Sequence, residues 1–160
     1  MALRLVLVVI TGVFLGVGAT TLVYAEGASY LSSDPRVCAN CHLMQSRLDS
    51  WQKGSHHSVA TCVDCHLPAD VAGKWFAKGL NGYRHSKAFT LQDFPEPIEM
   101  TPLNARILQE NCLRCHAGLV EHLVGWQAGA EATVECVHCH RTAGHGEYLG
   151  LGGPRRPGRP

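Results

Sequence analysis

Cys38-Ala39-Asn40-Cys41-His42 is the first of four pentapeptides whose reading decides how this chain folds. The others are Cys62-Val63-Asp64-Cys65-His66, Cys112-Leu113-Arg114-Cys115-His116 and Cys136-Val137-His138-Cys139-His140. All 8 cysteines lie in these Cys-x-x-Cys pairs, whose first members are 24, 50 and 24 positions apart. That is a duplicated two-pair unit with a longer insertion in the middle. Within each unit 20 residues separate the pairs, a spacing that four-cysteine zinc sites also use. Such a zinc site has no need of the histidine that follows every second cysteine. With 10 His in 160 residues, chance supplies that fourfold coincidence on the order of one time in 10⁵. Haem c does need it: the two thiols form thioethers to the vinyl groups, and the next imidazole swings under the iron as proximal ligand. Four covalent haem c groups are expected, on Cys38/Cys41, Cys62/Cys65, Cys112/Cys115 and Cys136/Cys139. His42, His66, His116 and His140 are the proximal ligands on this reading.

Working outward, 14 Lys plus Arg against 13 Asp plus Glu leave no electrostatic footprint for a nucleic-acid partner. An apolar content of 46% is too high for a disordered chain. Residues 26–151 read as one domain in which porphyrins make up much of the core, so the expected fold is mainly α, with short helices and long loops around closely spaced haems. Residues 152–160 contain only Gly, Pro and Arg, and read as a disordered tail.

Leu5 to Ala25 carry no charge and no proline. These 21 positions make about 31 Å of helix, enough to cross a bilayer core. Residues 1–25 are therefore read as a single transmembrane anchor. A cleaved signal peptide is the competing reading, since Val23-Tyr24-Ala25 suits a signal peptidase, but the apolar run is longer than the usual h-region of about 7 to 15 residues. Arg4, the only charge before the run, places the N-terminus in the cytoplasm and the haem domain on the extracytoplasmic, periplasmic side of the cytoplasmic membrane.

Six histidines remain: His56, His57, His85, His122, His138 and His145. Low-spin haems take a second axial ligand, so each is a candidate. His138 lies inside its own Cys pair and points away from that iron, and of the adjacent His56 and His57 at most one is expected to serve a given haem.

One amino-terminal helix followed by four Cys-x-x-Cys-His motifs resembles the NapC/NirT/NrfH group of membrane-anchored tetrahaem quinol dehydrogenases. Within it the chain is most like the small subunit of cytochrome c nitrite reductases, whose Cys-x-x-Cys-His-x-Met signature it carries at Cys38–Met44. The resemblance implies that Met44 rather than His42 binds the first iron. It further implies that His57, five residues before Cys62, is the distal ligand of the third haem, and that His145 is the distal ligand of the second. The fourth haem then has no distal ligand from this chain, and a catalytic partner supplies one. His122 is left unassigned, as a surface residue.

Between the second and third motifs, Val71, Trp75, Phe76, Leu80 and Tyr83 recur at helical intervals, with Lys74, Lys78 and Arg84 between them. Trp and Tyr favour the headgroup level and Lys can snorkel, which suits an interfacial helix. Gly73, Gly79 and Gly82 each cost about 1 kcal/mol of helix propensity. By the resemblance a quinol pocket lies here beside the first haem. Lys78 matches the group's lysine, and Lys74 is a neighbouring cation. His85 stands where the group has an aspartate. An imidazole of pKa about 6.5 accepts a quinol proton near neutral pH better than a carboxylate of about 4. The same side chain could instead bind the first iron opposite Met44. The implied function is oxidation of membrane quinol, menaquinol in particular, with electrons passed to a multihaem nitrite reductase subunit. A donor to another extracytoplasmic reductase and a haem-based sensor or haem-delivery protein are the competing readings.

Overall fold

The computed structural model describes residues 1–95, 98–121 and 135–145. His122 and the tail at 152–160 lie outside the described residues. Among the described residues every regular element is helical, as the mainly α expectation requires. The contacts divide the chain into two compact units, Met1–Ser33 and a second that begins at Asp34.

The first unit is α1, Ala2–Tyr24, with a short 3-10 turn, Gly27–Leu31, packed on it. Helix α1 spans 23 residues, and its most apolar 18-residue window has mean hydropathy 2.4 and is nowhere buried in the protein. A helix that apolar with no protein cover is long enough to cross a membrane. Thr20 satisfies its hydroxyl by donating to the Gly16 carbonyl at 2.8 Å, so the helix keeps no loose side-chain donor there.

The second unit contains α2 (Pro35–Cys38), a 3-10 turn (His42–Met44), α3 (Gln45–Gln52), α4 (Cys62–His66), α5 (Val71–Leu91), α6 (Pro102–Val120) and α7 (Cys136–Cys139). The short helices start where the sequence caps them. Asp34 accepts from the Arg36 N–H at 2.9 Å, with Pro35 in the first turn of α2. The Asp64 carboxylate reaches back to the Thr61 N–H at 2.8 Å and to its hydroxyl at 2.6 Å, closing the first turn of α4. Thr101 and Pro102 open α6 in the same manner.

Helices α5 and α6 are longer than the short helices expected, at 21 and 19 residues. For α5 part of the reason lies in Gly73. Asp70 caps the helix by accepting from the Gly73 N–H at 2.7 Å, and a Cβ at Gly73 would stand 2.5 Å from that carboxylate. The glycine that lowers helix propensity is therefore what lets the cap form. Gly79 and Gly82 face open space.

The protein-only core is small. Leu67, Ala77 and Ile107 are its buried apolar residues, with Val63 and Leu103 packed beside them. Among the described residues no large side chain is fully enclosed. This core sits between α4, α5 and α6, and α4 against α6 is the most extensive helix contact.

Candidate haem and quinol sites

Each Cys-x-x-Cys-His motif occupies or adjoins a helix: α2 ends at Cys38, α4 holds Cys62–His66, α6 carries Cys112–His116 and α7 holds Cys136–Cys139. The four sites are neighbours in space. The Cys38 and Cys62 thiols share a hydrogen bond, which with the Lys78 ammonium holds Cys38 down to about 7, while the same bond and burial push Cys62 up. Burial raises Cys65, and the nearby Asp64 and Cys115 raise it further; Cys112 is raised by burial and then by Cys136 and Cys65. The sequence order of the motifs is thus also their order of adjacency, from first to second to third to fourth.

Two imidazole pairs face each other across these motifs. The ring centres of His66 and His145 are 6.1 Å apart, and those of His56 and His116 are 6.0 Å apart. An iron–nitrogen bond of about 2 Å on each side, plus roughly 1 Å from that nitrogen to the ring centre, puts two imidazoles on opposite faces of one iron about 6 Å apart. Both pairs fit a bis-histidine haem. The outer nitrogens support this. His56 Nδ1 donates to the Ala143 carbonyl at 2.8 Å and His145 Nδ1 to the Arg47 carbonyl at 3.3 Å. A carbonyl only accepts, so each Nδ1 carries the proton and each Nε2 keeps the lone pair a metal needs. Burial lowers the pKa of His66, with a smaller contribution from His145, and burial likewise lowers His145; both favour the neutral, ligating form.

The structure brings the rings of His66 and His145 together, and it places His56 rather than His57 against His116. The ring of His57 packs edge-on against Trp51 at 6.1 Å, with Nδ1 3.3 Å from the Gly54 carbonyl. Adjacent side chains in this turn leave the backbone in different directions, and the bond to the Ala143 carbonyl holds the His56 ring beside His116. Gly54 permits the approach: a Cβ there would lie 2.8 Å from the Gly144 carbonyl oxygen. His138 is exposed on α7, and His140 follows that helix, also exposed. His42 and Met44 both lie in the 3-10 turn His42–Met44 and are exposed.

The expected quinol residues share one helix. Lys78 is half-buried on α5, with its ammonium 5.1 Å from the centre of the Trp75 ring and close enough to Cys38 for each charge to affect the other. Its pKa is lowered, first by burial and then by Lys74, so Lys74 and Lys78 form one cationic cluster beside the first motif. His85 lies seven residues beyond Lys78, two turns along nearly the same face, and is exposed. Val71, Trp75, Phe76, Tyr83 and Phe89 are exposed on the same helix, at 47% for Trp75 and more for the others.

An apolar helix of membrane-spanning length, four Cys-x-x-Cys-His motifs in a contiguous series and imidazoles paired at iron-bridging distance define a membrane-anchored multihaem c-type cytochrome. The chain matches the model of the NapC/NirT cytochrome c family, N-terminal region, over residues 1–100, and it belongs to that family, whose members hold covalently bound haem c. It is 35% identical to the cytochrome c-type protein NrfH of Wolinella succinogenes, over 89% of this chain and 86% of the relative. It is 31% identical to the cytochrome c nitrite reductase subunit NrfH of Nitratidesulfovibrio vulgaris, over 86% of this chain and 82% of that protein. Among solved structures it resembles a chain of the cytochrome c nitrite reductase NrfHA complex bound to the HQNO inhibitor. The TM-score is 0.62 at 26% identity, covering 87% of this chain and 90% of that one.

Proposed function

We propose that the chain is the membrane-anchored quinol dehydrogenase subunit of a cytochrome c nitrite reductase. It oxidises membrane quinol, menaquinol in particular, and delivers the electrons to the multihaem catalytic subunit. The observation that carries this reading is the match to NrfH proteins, one of them a cytochrome c nitrite reductase subunit, over 86–89% of the chain. The paired imidazoles and the Lys78–Trp75 cluster beside Cys38 support it independently.

When bound, the four haems supply one-electron relays between quinol and the catalytic subunit. Second-haem ligation falls to His66 and His145, and third-haem ligation to His116 with His56. The fourth haem has His140 and takes its other ligand from the partner. At the first haem Met44 serves in preference to His42, following the family signature. Quinol oxidation releases two electrons and two protons. Lys78 orients the quinol oxygen beside the first motif, and His85, which replaces a carboxylate at that position, accepts the protons and returns them to extracytoplasmic water. Exposed Trp75, Phe76 and Tyr83 hold α5 at the lipid headgroups, where quinol arrives. Helix α1 anchors the chain once through the cytoplasmic membrane, with the haem domain on the periplasmic side.

The test is purification in mild detergent followed by quinol-dependent haem reduction. Lys78→Ala and His85→Ala should each slow reduction by quinol by about 10²-fold, typical for losing a positioned proton-transfer group, while leaving reduction by dithionite intact. Unchanged quinol oxidation in both variants would remove the pocket from α5.

A further inference from the structure

Helix α6 carries the third Cys-x-x-Cys-His motif, yet one side chain beside its cysteines and one between them bind the second motif instead. Asn111, which immediately precedes Cys112, is the buried polar residue of the core, at 7% exposure. Its amide nitrogen donates to the Cys65 carbonyl at 2.9 Å and to the Leu67 carbonyl at 2.8 Å. These are the two residues on either side of His66. Arg114, between Cys112 and Cys115, donates to the Asp64 carbonyl at 3.0 Å. The carbonyls at the end of a helix have no partner within it, and at the end of α4 three carbonyls of the 64–67 segment are taken by α6.

We propose that Asn111 is a positioning residue for the electron-transfer step between the second and third haems. With both N–H groups spent on the carbonyls flanking His66, it fixes the backbone from which that imidazole reaches the second iron. Because the same residue adjoins Cys112, it also ties the second attachment site to the third. An amide suits the task. It presents two donors in one plane, whereas an acid of the same shape would set lone pairs against both carbonyls, and an aliphatic residue would leave them buried and unpaired. Arg114 reinforces the same register from the surface. The inference rests on the reading of His66 and His145 as the ligands of the second haem.

The test uses the full-length haem-loaded chain in detergent, with Asn111→Asp, Asn111→Leu and Arg114→Met. Low-temperature EPR and haem-resolved potentiometry are read beside stopped-flow electron transfer. The second-haem signal is assigned separately by His145→Ala. The expected result for Asn111→Asp and Asn111→Leu is a shift of that one signal, with the other three unmoved and about tenfold slower electron passage, the low end of what losing a ligand's support costs. Arg114→Met, which removes one bond made by an exposed side chain, should move the same signal by less. A general loosening would disturb several haems or lower thermal stability without selecting one. If all three variants kept the second-haem signal at its wild-type position, or moved the third-haem signal instead, the proposal would be overturned. Should the Asn111 variants fail to retain four haems, Arg114→Met decides on the same criterion. Separately, if His145→Ala moved no signal, the ligand assignment itself would fail, an outcome distinct from failure of the positioning role.

Discussion

His56 and His57 are chemically identical and adjacent, and position relative to Cys62, the feature that pointed to His57, is a weak discriminator between them. What separates them is a contact 87 residues away, the 2.8 Å bond from His56 Nδ1 to the Ala143 carbonyl. That bond holds the His56 ring beside His116, while His57 packs edge-on against Trp51. The expected consequence is asymmetric: His56→Ala abolishes the low-spin EPR signal of the third haem, whereas His57→Ala leaves it in place. The reverse pattern would restore His57 as the ligand. Gly54 belongs to the same argument, since its missing Cβ is the space occupied by the Gly144 backbone. Gly54→Ala must separate the His56 turn from the segment bearing His145. It should therefore weaken second- and third-haem low-spin signals together, a coupling that neither histidine variant alone produces.

At the scale of elements, the four attachment motifs, the anchor and the α5 segment are legible in the amino-acid sequence, because each rests on local rules of thioether chemistry, hydropathy or helical period. The roles of Asn111 and Gln109 are not. Asn111 reaches 44 and 46 residues back to α4, and Gln109 accepts from the Cys136 N–H, 27 residues ahead, at 2.8 Å. Pairings of that sequence separation leave no periodic trace in a single chain. The cap of α4 is readable by contrast, since Thr61 and Asp64 stand at capping-box spacing. Asp64 has its pKa lowered from 3.8 by its bonds to Thr61, first the hydroxyl and then the backbone N–H. A depressed carboxylate adds stability that is complete above the unfolded value and is lost as pH falls through the folded one. Asp64→Ala should thus cost about 1 kcal/mol near neutral pH, the usual worth of a cap, and the gap from wild type should close below about pH 4. Parallel thermal-melt curves with a pH-independent gap would show that the charge contributes nothing.

For the whole molecule, the distribution of contacts predicts that the four Cys-x-x-Cys-His motifs are unequal in structural weight. Among the described residues the buried apolar ones are few, Leu67, Ala77 and Ile107, a small core for ordering the second unit. The haem c groups are expected to supply further burial, so their removal should destabilise the second unit. Helix α6 concentrates this dependence. It bears Ile107 of the core, grips α4 through Asn111 and Arg114, and holds the start of α7 through Gln109. The first motif, by contrast, meets the rest through α2 against α3 and α4 and through Cys38 beside Lys78, among the described residues. Replacing Cys112 and Cys115 by Ser should therefore reduce haem loading at the second and fourth sites as well as the third, and expose the 62–140 segment to protease. Replacing Cys38 and Cys41 by Ser should cost the first haem and quinol-dependent reduction while leaving three haems and a protease-resistant remainder. Haem counting by pyridine haemochrome with limited proteolysis decides between these. Equal damage from both pairs of substitutions would mean that stability is shared evenly along the haem series and that α6 is not its organising element.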